Sequence, residues 1–107
     1  MQDFKRTMLK ALLPRIILEQ VNEKPAHGYA FISLIRRKHG VYFGPSTIYP
    51  LLCELENEGY VASEWVVPEY GRPHKAYRIT AKGRMLLEIT CKELSLLVKP
   101  QIEAKAS

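Results

Sequence analysis

The 107-residue chain has little of what most catalytic and metal sites require. It holds two cysteines, Cys53 and Cys91, and three histidines, His27, His39 and His74. None of them forms a CxxC, an HExxH or a triad-like grouping. Ser46 lacks the strand-turn-helix context of a nucleophile elbow, and no glycine-rich phosphate loop opens a helix. An enzyme, a metal centre and a bound cofactor are therefore not expected. Both cysteines fall inside helix-like patterns and are expected to be reduced core or interface residues of a cytosolic protein. No apolar run reaches the roughly 18 residues needed to cross a bilayer. The N-terminal stretch MQDFKRTMLKALLPRIILEQ has scattered charges and no small-residue cleavage site, so neither a membrane span nor a signal peptide is expected. A cytoplasmic location follows as an expectation. Repeats, low-complexity tracts and long linkers are also missing, and the length suits one modest core.

Positive charge is plentiful. Sixteen Lys and Arg face eleven Asp and Glu, a formal net charge of +5. Such a surface attracts polyanions, with nucleic acid the first candidate.

The apolar spacing over residues 4–22, at Met8, Leu9, Leu12, Leu13, Ile16, Ile17 and Val21, predicts a helix. Pro14 predicts either a kink in it or a break into two helices. Residues 22–28, NEKPAHG, read as a loop. A second helix is predicted from about Tyr29 to Lys38, with Tyr29, Ile32 and Ile35 as one apolar seam, flanked by Phe31 and Leu34. Gly40 is its predicted C-cap. A third helix ends at Glu58, with Ile48, Leu51, Leu52 and Leu55 inward. Pro50 fits it if the helix begins just before, with Thr47 as N-cap, or if the first turn is distorted. The period then changes: YVASEWVV (60–67) and KAYRI (75–79) predict a β-hairpin with a long, stiff, basic tip. Thr80 is a good N-cap for a last helix.

This order predicts a mainly α fold with a small β-hairpin, a winged helix-turn-helix over residues 1–80. A C-terminal dimerisation helix and tail over 81–107 would complete one compact unit.

In the third helix a 100° step puts Ser46, Pro50, Cys53 and Asn57 opposite the core stripe, with Thr47 and Tyr49 flanking them. Hydroxyls at the N-terminal end suit phosphate oxygens and base edges, whereas Glu54, Glu56 and Glu58 at the other end would repel phosphate. The helix is expected to meet DNA by its N-terminal end. Arg72, His74, Lys75 and Arg78 on the hairpin are further candidates for DNA contact, and Arg36, in the basic turn Arg36–His39, is a weaker one. An ordinary capped helix and a solvated charged turn are the plainer alternatives. Apolar residues cover more of the last helix than one small core can bury, which predicts self-association.

Three stretches, HGYAFISLI, GPSTIYPLLCELENEGYV and GRPHKAYRITAKGRMLL, resemble the PadR-like family of transcriptional regulators across about residues 10–90. The single C-terminal helix is similar to that family's short branch. The resemblance implies a winged-helix dimer that represses transcription. DNA contact would come from Ser46, Thr47 and Tyr49 with Pro50, and from a wing carrying Arg72, His74 and Lys75. Dimerisation would use the first and last helices, here Met8, Leu12, Leu86, Ile89, Leu94 and Leu97. Pro73-His74 replaces a denser basic run in the family's wing, which implies weaker wing contact. Some members hold flat drugs with a Trp in the last helix. The single Trp here, Trp65, falls in the first wing strand, so that property does not carry over. The expected partners are double-stranded, palindromic operator DNA and a second copy of the chain, with an unidentified small-molecule effector as a further possibility. The competing expectation is a winged-helix protein–protein interaction module.

Overall fold

The computed structural model describes residues 1–98. Its elements are α1 (Gln2–Glu23), β1 (Ala26–His27), α2 (Gly28–His39), α3 (Pro45–Asn57), β2 (Val61–Val66), β3 (His74–Ile79) and α4 (Ala81–Leu97). This is the winged helix-turn-helix with one following helix. The predicted tail beyond Val98 lies outside the described residues.

The sheet is antiparallel, in the order β1-β3-β2. Pairing of Val61 with Ile79, Ser63 with Tyr77 and Trp65 with Lys75 puts these residues on one face of the hairpin. Val61, Tyr77 and Ile79 on that face are buried against Leu13, Ile17, Phe31, Ile35, Phe43, Ile48 and Leu52. Phe31 and Tyr77 meet edge to face, their ring centroids 6.4 Å apart. Every fully buried side chain of the core is thus an aliphatic or aromatic one from α1, α2, α3, the α2–α3 connection or β2. Among the described residues no buried polar side chain lacks a hydrogen-bond partner.

The interior is fastened to its flanking helices by a few polar side chains. Arg15 donates to the Leu87 carbonyl at 3.0 Å, to Thr90 Oγ1 at 2.6 Å and to Glu19 at 2.8 Å, joining α1 to α4. Arg6 donates to the Tyr42 carbonyl at 2.7 Å and lies over the Phe43 ring. Arg15→Ala leaves the Thr90 hydroxyl and a half-buried carbonyl with one partner fewer. It is expected to cost about 1–3 kcal/mol, read as a lower urea midpoint with an unchanged slope.

Several expectations are corrected. Pro14 lies within a single helix of 22 residues, so α1 is not split in two. Thr47 is not the N-cap of α3: Gly44 is, with Pro45 in the first turn. The Thr47 and Ile48 amides both already donate to the Gly44 carbonyl at 3.0 Å. Pro45 suits the first helical position, because its fixed φ is helical and its missing N–H would be unpaired there anyway. Pro50 therefore sits inside the helix, where it has no N–H to return to the Ser46 carbonyl. Tyr29 is exposed rather than part of the α2 seam, which is Gly28, Phe31, Ile32 and Ile35. Cys53 and Cys91 are both exposed, not core residues. The loop at 22–28 also contains β1, whose Ala26 pairs with Tyr77.

Two predicted helix caps hold. Gly40 caps α2 at φ +70°, a left-handed conformation that glycine adopts without strain. Thr80 caps α4 by accepting from the Gly83 amide at 3.1 Å, while its hydroxyl donates to the Gly59 carbonyl at 2.6 Å. No helix among the described residues is long and apolar enough to cross a membrane.

Candidate nucleic-acid interface

α3 is amphipathic along its length, with Ile48, Leu52 and Leu55 buried and Ser46, Pro50, Cys53 and Asn57 exposed. Thr47 is half-buried and Tyr49 is on the surface. The three glutamates at its far end differ in role. Glu56 accepts a hydrogen bond from Ser63 Oγ at 2.6 Å and so anchors β2, whereas Glu54 and Glu58 face solvent. The Glu58 carbonyl accepts from Lys82 Nζ at 2.6 Å, which closes the C-terminal end of α3 with a cation.

Tyr49 leans across the start of α2. A Cβ added at Gly28 would stand 2.5 Å from the Tyr49 ring, so glycine is what admits the ring there. This ring forms one wall of a cleft of about 660 Å³ between α3 and the hairpin. Arg72, His74 and Lys75 of the hairpin line it as well. Lys75 Nζ lies 5.7 Å from the centre of the Trp65 ring. His27 of β1 meets His74 edge to face at 5.2 Å, pinning the base of the hairpin tip. Burial, and after it the Glu56 carboxylate, holds the Tyr77 hydroxyl on the cleft floor above the usual phenol range. Tyr77 stays neutral there and adds no negative charge to the cleft.

The candidate residues divide into groups. Tyr49, Arg72, His74 and Lys75 are brought together in this cleft. Thr47 and Pro50 border a second, shallower cleft against Lys10 and Ala11 of α1. Arg78 pairs with Ala62 on the other face of the hairpin from Lys75 and Tyr77. Arg36 lies apart, 5.8 Å from the Tyr42 ring centre. Among the described residues no three His, Cys, Asp or Glu side chains group as a metal site.

The model of the transcriptional regulator PadR-like family matches residues 17–89. The chain belongs to this family. A transcriptional regulator of Mycobacterium tuberculosis is 33% identical over 87 residues, which is 81% of this chain and 76% of that protein. A crystal structure of a transcriptional regulator from Thermoplasma acidophilum superposes with a TM-score of 0.77 at 31% identity, covering 85% of this chain and 87% of that one. The crystal structure of a PadR family transcriptional regulator from Eggerthella lenta gives 0.76 at 31% identity, over 90% and 87%. The chain is thus a transcriptional regulator, not an enzyme, and membership in the PadR-like family implies regulation through DNA.

Five residues of the cleft are not among the contact candidates legible in the sequence: His27, Gly28, Tyr29, Trp65 and Tyr77. HGY was legible as part of a family motif, but its contact with α3 was not. Gly28 and Tyr49 are far apart in sequence, and nothing local to either signals that one makes room for the other.

Proposed function

We propose that the chain is a homodimeric, sequence-specific repressor that reads operator DNA with the N-terminal half of α3 and grips the flanking backbone with its wing. The observation that carries this reading is the shared cleft, which Tyr49 of α3 lines together with Arg72, His74 and Lys75 and which no carboxylate lines. Ser46 and Pro50 extend the same exposed edge of α3. Thr47, half-buried, serves as a phosphate ligand through its hydroxyl. Arg78 and Arg36 lie outside the cleft, and their role is long-range attraction.

Support for the dimer comes from apolar residues that the single chain leaves uncovered. Met8 and Leu12 on α1 and Ile89 and Leu97 on α4 are exposed. Leu86 and Leu94 line an apolar groove between the two helices, beside Leu12 and Leu18. A two-fold pairing would set two copies of α3 about 34 Å apart, one turn of DNA.

Selection of bound DNA from a random pool tests the reading. A palindromic motif is the expected result. Failure to enrich any sequence would favour a protein–protein interaction module instead. Within this reading, Lys75→Ala or Arg72→Ala weakens binding to every sequence and lowers the slope of log K against log salt by about one. An unchanged slope in fluorescence-anisotropy titrations would remove that side chain from the phosphate contacts.

A further inference from the structure

We infer that Gly28 is a positioning residue for DNA recognition. By having no side chain it lets the Tyr49 ring lie across the start of α2, and this fixes the direction in which α3 presents the Tyr49 hydroxyl. The inference rests on the DNA-binding reading and deepens it, since it names a residue outside α3 and the wing that decides how α3 meets DNA.

Glycine is not needed here for its backbone. Gly28 is the first residue of α2, and its φ is not positive, unlike that of Gly40 at the other end of the same helix. Other residues can adopt this conformation, and alanine is the better helix former. What the position cannot hold is a Cβ. The three atoms nearest to one would be Cε1, Cζ and Oη of Tyr49, at 2.5, 2.6 and 2.7 Å. All three belong to the outer end of one ring carried by another helix. The demand for glycine therefore comes from α3 and not from α2.

Tyr49 loses its place if that space is filled. The residue is 39% exposed, so it is packed on one side and open on the other. It lines the cleft that also holds Arg72, His74 and Lys75. In a helix a tyrosine χ1 has two accessible wells, because the third drives the ring into the preceding turn. A Cβ at Gly28 overlaps the ring in the observed well, and the way out is the other well, about 120° away. A swing of that size takes the hydroxyl, at the far end of the ring, out of the cleft. The end of a side chain can move where backbone cannot, so the fold accommodates the change while the contact to DNA does not survive it.

Gly28→Ala, Tyr49→Ala and the double variant are compared with the parent in anisotropy titrations against a labelled duplex recovered from the random-pool selection. Gly28→Ala is expected to weaken binding by about tenfold or more, and Tyr49→Ala by a similar factor. In the Tyr49→Ala background, Gly28→Ala is expected to change binding by less than about twofold, because the ring it displaces is gone. The thermal midpoint of Gly28→Ala should stay within about 5 °C of the parent. The slope of log K against log salt should not change, since a phenol hydroxyl releases no counterion, whereas loss of a wing cation lowers it. Additive losses in the double variant, or a lowered slope, overturn the assignment, because Gly28 would then act on something other than Tyr49. Unchanged binding by Gly28→Ala also overturns it. So does a larger fall in midpoint shared by Gly28→Ala and the double variant, which would make Gly28 a residue of the fold alone. Each of these results leaves the DNA-binding reading intact. A parent chain that binds no duplex overturns that reading and this inference with it.

Discussion

Replacing Gly83 with alanine is expected to lower the stability of the chain by about 3 kcal/mol, and its thermal midpoint by more than about 10 °C. A Cβ at this position would stand 2.2 Å from the Tyr60 carbonyl oxygen and 2.7 Å from Ile79 Cγ1. The closest obstacle is backbone, which cannot rotate away as the end of a flexible side chain can. The Tyr60 carbonyl is also committed, since it accepts from the Thr80 amide at 3.2 Å and from the Thr80 hydroxyl at 3.0 Å. Pushing it outward therefore disturbs the cap of α4 and the point where the hairpin begins and ends. Arg84→Ala, at an exposed position one residue further along, should stay within about 0.5 kcal/mol of the parent. Urea unfolding of both variants checks the expectation. Equal midpoints for Gly83→Ala and the parent would show that the junction yields at little cost.

The same glycine shows what was and was not legible in the sequence. It ends the Lys-x-Tyr-x-Ile-Thr-x-x-Gly pattern that carries part of the family resemblance, yet the pattern alone gives no reason for it. The reason is a close approach between α4 and Tyr60, far apart along the chain. Helices with one-sided apolar spacing were legible: the buried positions of α3 fall on its stripe, and Thr80 caps α4 as its residue type and place suggest. An apolar seam is illegible where it includes a residue without a side chain. The buried seam of α2 begins at Gly28, which a hydrophobic pattern cannot register, so Tyr29 reads as inward although it is on the surface. Two prolines in α3 compete as markers of its start, and only the backbone shows that Pro45 holds the first-turn position. β1 is two residues long and owes its extended pairing to β3, not to its own composition. Of the candidate site, the residue types were legible. That Tyr49 shares a cleft with Arg72, His74 and Lys75, while Arg78 points away, depends on tertiary packing and on strand register.

Glutamate at Met8 and Ile89 together is expected to convert the proposed dimer to a monomer and to weaken operator binding by about 10²–10⁴-fold. Met8 and Ile89 are 67% and 56% exposed in the single chain, so the charges disturb little of its own core. In a two-fold interface the same patch meets itself, and each substitution is present twice. Four carboxylates would then be crowded into an apolar patch that meets itself, and their desolvation and mutual repulsion cost more than a small interface can offset. Loss of the dimer removes the linkage between two half-site contacts, which is where most of the affinity for a palindrome would reside. Contact with one half-site is left nearly unchanged, since neither residue borders the cleft between α3 and the wing. Sedimentation velocity and titrations against full and half operators check both parts. A variant that remains dimeric would move the interface off this face of α1 and α4. A monomer that still binds the full palindrome as tightly as the parent would show that the two sites act independently.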